Sequence, residues 1–257
     1  MKKLLLGLAL CGSVASADFI GFSVGAGLWQ ENIDGYIKTG DKTNYFNNPS
    51  ISVTDPNNGN LNLSDELKPY VWAKIIYPIP LIPNVRAEYR QYKTSGDGYA
   101  VGSVDVFGDN VLNLNVKTPI QTDMTINSYD ITAFYELKLF FEVEAGVGVN
   151  ALDGTTTTVT TAGKNTASWI APIPYLYGRV ETPTILGFSV EAQAKYIDVG
   201  SAYYHDYQGA LKYHLPLPIL DFSVALGYKY QDIYAEDGDN ETDLKFEGGY
   251  AELGVRW

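Results

Sequence analysis

The chain has 257 residues, a formal charge of −12, 25 glycines, 20 tyrosines and one cysteine. So acidic a chain is a poor partner for nucleic acid. A single cysteine gives no disulfide framework, and the sequence has no apolar run after residue 17 long enough to cross a bilayer as a helix. The length suits one domain or two, and no linker-like stretch or composition break divides it.

Residues 1–17 read MKKLLLGLALCGSVASA. Lys2 and Lys3 form a basic n-region, Leu4 to Leu10 a short apolar run, and Ala15-Ser16-Ala17 a cleavage site. The segment is expected to be a secretory signal removed after Ala17, leaving 18–257 as one domain. Cys11 falls inside it, with Leu10 where a small residue normally precedes a lipidated cysteine. Removal of two lysines takes the formal charge to −14.

Beyond the signal the dominant pattern is period-two alternation, the mark of a strand with different environments on its two faces. Ile20, Phe22, Val24, Ala26 and Leu28 alternate with Gly21, Ser23, Gly25, Gly27 and Trp29. A repeat follows at 69–82, 174–187 and 208–220. In each copy a cation (Lys74, Arg179, Lys212) precedes a proline (Pro78, Pro183, Pro216) by four residues. Proline cannot donate to a ladder, so it marks a strand end and a turn. About ten strands are predicted, near 19–33, 66–78, 84–95, 126–137, 138–151, 167–182, 186–199, 202–215, 219–234 and 243–257. Eight strands is the alternative if 202–215 is omitted. Twelve is the alternative if 101–107 and 111–116 enter the sheet; that pair reads as a hairpin within a loop. Short turns are predicted at 79–83, 137–138, 183–185 and 216–218, and longer connections at 34–65, 96–125, 152–166 and 235–242. The connection at 199–202 is short and breaks this alternation.

The last stretch, FEGGYAELGVRW, puts Gly249, Ala251, Leu253, Val255 on one face and Gly248, Tyr250, Glu252, Gly254, Arg256 on the other, ending on Trp257. It resembles the closing strand of Gram-negative outer-membrane β-barrels, whose terminal aromatic residue is read by the barrel-assembly machinery. The chain as a whole resembles the small outer-membrane β-barrel proteins of those bacteria. The resemblance implies a single closed antiparallel transmembrane barrel, outer-membrane lipid and the assembly machinery as partners, Trp257 as assembly signal, and both termini in the periplasm. A soluble β-sandwich or periplasmic barrel would also alternate, with its apolar face inward.

Taking the apolar faces as lipid-facing turns Lys74, Arg86, Glu88, Arg90, Asp130, Glu142, Glu144, Arg179, Glu181, Glu191, Lys195, Lys212, Lys229, Glu252 and Arg256 inward. That lumen is nearly neutral and densely charged. Barrels of about eight strands are just wide enough for side chains to fill, and buried charge persists only when paired. A lumen plugged by its own ion pairs is therefore expected, with a narrow pore as the alternative.

Little points to catalysis. Omptin proteases, ten-stranded outer-membrane barrels, use an Asp–His couple in D-x-H spacing, and no D-x-H occurs here. His205 and Asp206 are neighbours on a strand and face opposite ways; His214 lies at the periplasmic end. A lipid A deacylase needs Ser and His in contact, and Ser201 is too far along the strand from His205. The loop AEDGDNETD gathers Asp237, Asp239, Glu241 and Asp243, a weak candidate for Ca²⁺. Thr242 stands where an EF-hand needs glycine and Gly248 where it needs the closing glutamate, so a solvated acidic tip is the plainer reading. No catalytic residue, metal site or cofactor is assigned. The expected role is structural or surface-interacting, with a small-molecule transporter as the alternative and a rim-site hydrolase as a remote one.

Overall fold

The computed structural model describes residues 20–52, 54–79, 81–106, 109–114, 116–161, 163–216 and 220–257, with backbone only at 103–106, 109–113 and 216. The signal segment with Cys11 lies outside them. The described chain is all β: β1 Gly21–Thr39, β2 Lys42–Tyr45, β3 Asn58–Asn60, β4 Glu66–Ile76, β5 Asn84–Ala100, β6 Ser103–Val106, β7 Asp109–Asn113, β8 Thr118–Lys138, β9 Glu142–Thr160, β10 Gly163–Glu181, β11 Phe188–Asp198, β12 Ala202–Pro216, β13 Asp221–Asp237 and β14 Asn240–Arg256.

Twelve strands form one sheet that runs in a ring, because β1 pairs with β14 as well as with β4. Along the ring, β4, β5, β8, β9, β10, β11, β12, β13 and β14 follow one another in antiparallel pairs. β2 and β3 are short pieces that bridge β1 to β5 beyond the start of the shorter β4. β6 and β7 form a separate two-stranded hairpin outside the ring sheet, as expected for the 101–116 segment.

Ile20 and Trp257 lie at the same end of the ring. Trp257 exchanges backbone hydrogen bonds with Phe22 (3.0 and 3.1 Å), and their rings meet edge to face at 4.7 Å. The connections between β4 and β5, β8 and β9, β10 and β11, and β12 and β13 belong to this near end as well. At the far end the expected long connections at 152–166 and 235–242 are absent. β9 and β10 stay paired to Thr160↔Gly163, and β13 and β14 to Asp237↔Asn240, so both are tall hairpins with tight turns. Only 40–65 and 101–117 are long. The turn expected at 137–138 falls instead at 139–141, where Leu139 N–H donates to Phe141 O, so β8 carries Glu136 and Lys138.

The two faces exchange character partway along most strands. On β14 the outward face is apolar at Leu253 and Ala251 and charged at Glu247, Lys245 and Asp243. The inward face goes the other way, from Glu252 to buried Phe246 and Leu244. β8 does the same, from outward Ile131 and inward Asp130 to outward Asp123 and inward Met124 and Ile120. The inward glycines of β1 have a packing reason. Cβ atoms at Gly25 and Gly27 would lie 2.5 Å from the rings of Trp72 and Tyr70, which lie across them from β4.

Candidate functional site

The interior contains two layers of charge, then a layer of hydrocarbon. The layer next to the near end is built on Arg179. Its guanidinium meets Glu142 (2.7 Å), Glu144 (2.6 Å), Glu191 (2.7 Å) and Glu181. Lys74 reaches Glu144 at 2.7 Å, and Lys212 reaches Glu191 at 2.9 Å and Glu181 at 3.3 Å. The three cations of the proline-marked repeats thus converge on one group of carboxylates, because equal spacing from equivalent turns puts them at equal depth. Glu136, which the sequence set at the end of a strand and outside the inward set, also faces in, 3.9 Å from Lys74. Glu136, Glu142 and Glu144 lie close enough to share an ion, but Lys74, Lys138 and Arg179 already neutralise them.

Deeper in, Glu88 joins Arg86 (3.0 Å) and Arg90 (2.8 Å), and Asp206 joins Arg90 and Lys229 (3.2 Å each). Lys195 meets Asp130 at 2.8 Å, and Tyr175 donates to the same carboxylate at 2.7 Å. Asp206, like Glu136, is an inward anion absent from the set read from the sequence. His205 faces out between Tyr196 and Tyr203 (4.7 and 4.6 Å) while Asp206 faces in. Glu252 accepts from Tyr70 at 2.8 Å. Arg256 is the least enclosed of the predicted inward cations, 39% exposed and 3.6 Å from Glu142.

Trp29 forms the boundary to the third layer. Its indole donates to Gly248 O (3.2 Å); Arg90 and Lys229 lie over its ring, and Tyr92 and Phe246 lie beside it. Beyond it Ile33, Ile37, Ile126, Leu152 and Leu244 point inward from the ring, and Phe46, Leu61 and Leu63 from the 40–65 connection close the space between them. The assumption that apolar faces point outward therefore fails in this half. Three interior cavities are small: about 40 Å³ beside Arg179 and His214, and about 10 Å³ at each of two further sites. A water needs about 10–15 Å³.

One constellation escaped the sequence reading. Ser189 Oγ lies 2.9 Å from His214 Nε2, and His214 Nδ1 lies 3.3 Å from Asp221. The connectivity is that of a nucleophile, a base and an orienting acid. Ser189 is 2% exposed, however, and its hydroxyl also reaches Glu181 at 2.8 Å. The nearby cations Arg179 and Lys212 already hold Glu181 and Glu191. Only the ladder register, which sets Ser189 against Lys212, brings these residues together.

The acidic segment at 236–243 is not a cage. Asp237 and Asp239 are exposed at the hairpin tip, Glu241 pairs with Lys38, and Asp243 pairs with Lys245 at 2.7 Å. Lys38 holds the Glu241 carboxyl below its usual range, while burial pushes Asp243 up.

No family model matches the chain, and no curated protein matches it in sequence. Among solved structures, it is similar to Ail, the attachment invasion locus protein of Yersinia pestis, at 12% identity and a TM-score of 0.34, over 92% of this chain and 98% of that one. It is also similar to the outer membrane protease OmpT of Escherichia coli, at 9% identity and a TM-score of 0.47, over 94% of this chain and 97% of that one.

Proposed function

We propose that the chain is an outer-membrane β-barrel of ten membrane-crossing strands. Its lumen is filled by its own side chains, and its far-end loops and hairpins are the working surface in a structural or surface-interaction role. The face exchange supports the membrane. In the near-end half the outward side chains form an exposed apolar band, including Val71, Ile131, Val147, Leu211, Leu226 and Leu253. On β9 the band runs from Val143 to Ala151 and ends at Asp153, which fits the roughly 9–11 residues a tilted strand needs. The far-end half has the polar exterior and apolar interior of a protein in water. In this reading the near end, where Ile20 and Trp257 lie, faces the periplasm, and the assembly machinery reads Trp257 there.

The observation that carries the closed-lumen reading is the stacking of two paired charge layers under an apolar layer, with room for only a few waters. A conducting path would have to cross all three. The same crowding argues against a hydrolase at Ser189: the hydroxyl is enclosed, Glu181 competes with His214 for it, and the strand N–H groups around it are engaged in the ladder. We therefore propose no enzymatic activity.

Reconstitution in planar bilayers tests the reading. No ion-conducting steps are expected; steady conductance with ion selectivity would establish the narrow pore instead. Unboiled protein should run faster than boiled protein on SDS gels, since a closed ring has no edge from which to unravel. Equal migration would count against the barrel.

A further inference from the structure

The far-end rim has a notch. β10 and β11 are paired only from Glu181↔Glu191 to Leu176↔Tyr196, after which β11 ends at Asp198 and turns into β12. β10 continues to Gly163 hydrogen-bonded to β9 alone, with β7 of the loop hairpin lying near both, and β13 rises to Asp237 on β14. The short β11–β12 hairpin is therefore flanked by one much taller wall, β9–β10, and on its other side by β13, which tops it by two residues. Above short β4 the equivalent gap is bridged by β2 and β3; above β11, among the described residues, no strand does this. The notch holds a cleft of about 220 Å³ lined by Pro172, Ile173, Pro174, Ile197, Tyr203 and Ile233 among others, with no charged side chain in its lining.

We propose that this cleft takes an acyl chain of a membrane lipid, in the leaflet on the far-end side. The proposal rests on the membrane reading above. β10 is the strand that does not exchange its faces at this level. Ile170, Pro172 and Pro174 point outward, with Ile170 76% exposed, while Asp153 of β9, paired with Ile170, has already turned polar. The apolar band thus climbs one step higher here and runs into the cleft, whose floor residues Ala171, Ile173 and Ile197 pack against the interior hydrocarbon layer. An apolar cavity of about 150 Å³ suffices for a benzene ring, so this volume admits several methylenes. An added peptide strand is a poor occupant. Proline is found in sheets where its missing N–H faces no partner; because β9 stays paired with β10 through this stretch, that side at 172 and 174 is the cleft. Tyr203 and Tyr234, stacked at 5.1 Å, stand at the rim, where rings with one polar end suit a membrane interface.

The test reconstitutes the full chain in phosphatidylcholine vesicles that include a phosphatidylcholine with a mid-chain diazirine, and maps photoadducts by mass spectrometry. Adducts at 171–174 and 197–203 are expected several-fold above those at Val71 and Leu253, which sit in the apolar band on β4 and β14. Ala202→Trp, which fills the cleft, should remove the excess and leave the band labelling unchanged. If that variant does not give the fast-migrating folded form, Ala235→Phe replaces it, and the ratio in the unaltered protein still decides. Cleft labelling no higher than band labelling would overturn the proposal, as would an excess that survives both fillings. Labelling at neither place would overturn the membrane reading and the cleft with it.

Discussion

The near-end and far-end halves of the ring share the same strands and the same alternation, yet they are built for opposite solvents. Below Trp29 the outside is hydrocarbon and the inside is Arg179, Arg90, Lys74 and their carboxylates. Above it the outside carries Asp34, Lys38, Glu241 and Lys245, and the inside is Ile33, Ile37, Leu244 and Phe46. A strand can do both because alternation fixes only that the faces differ, not which one is apolar. The exchange marks where a chain leaves lipid for water. It also makes the halves fail differently: the lower interior depends on charge balance, the upper on packing.

The largest effect is expected from Arg179→Ala. It leaves Glu144, Glu181 and Glu191 to Lys74 and Lys212, and Glu142 to the longer contacts with Lys74, Arg256 and Lys138 (3.9, 3.6 and 4.0 Å). Breaking one buried pair costs about 3–5 kcal/mol, and four acids around one cation should put this change at about 5 kcal/mol. Urea unfolding in detergent, followed by the gel shift, measures it, with conductance still absent. Unchanged stability together with cation-selective conductance would mean the lower layer is solvated. In the upper layer, Phe246→Ala should cost about 3 kcal/mol, the low end for a buried aromatic, because Trp29 and Tyr92 can close on the space. Its cost should be insensitive to salt. A salt-dependent cost there would erase the contrast between the halves.

Much of the lower layer was legible. Lys74, Arg179 and Lys212 repeat four residues before a proline, and the period of two assigns their face once lipid is placed outside. Glu136 was lost because the turn was placed two residues early, at a point where no proline marks it. Asp206 was hidden because it lies in YYHDY, a run with no aliphatic residue to mark which face meets lipid. The upper layer was hidden for a different reason. AEDGDNETD and TTTTVTTAGKNT look like loops by composition, and only cross-strand pairing keeps them in the sheet. The face exchange on β14 is written in the sequence across Glu247-Gly248-Gly249, but a strand expected to begin at 243 leaves too little of the upper half to show it. Ser189 and His214 meet through a register that no spacing within one segment reveals.

Moving a charge between the outer faces sharpens the comparison. Leu226 is outward and 64% exposed in the lower band. Leu226→Arg should cost about 2–3 kcal/mol if that band meets the bilayer interior. Asn32→Arg, also outward but above the exchange on β1, should stay within about 0.5 kcal/mol. Both are read from unfolding midpoints in lipid vesicles. Equal costs would mean the band does not mark the membrane.

The smallest effect belongs to the pair outside the band. Lys38 donates to Glu241, and Tyr36 donates to the same carboxylate at 3.2 Å. The hydrogen bond with Lys38 is the main cause that lowers the Glu241 pKa and, in return, raises that of Lys38. The signs follow from linkage. A lowered carboxyl stabilises the fold above its ordinary range and loses that contribution as pH falls through the folded value. A raised ammonium stabilises below its ordinary range and loses that contribution as pH rises through the folded value. The difference in unfolding midpoint between wild type and Lys38→Met should therefore be a low plateau between the two ranges, shrinking at both the acid and the alkaline end. Exposed pairs are screened by ions, so added salt should flatten the plateau while leaving the Arg179→Ala penalty largely in place. A Lys38→Met difference that is independent of pH, or that resists salt as the buried layer does, would place this pair in the same environment as the lumen and move the boundary between the two halves outward.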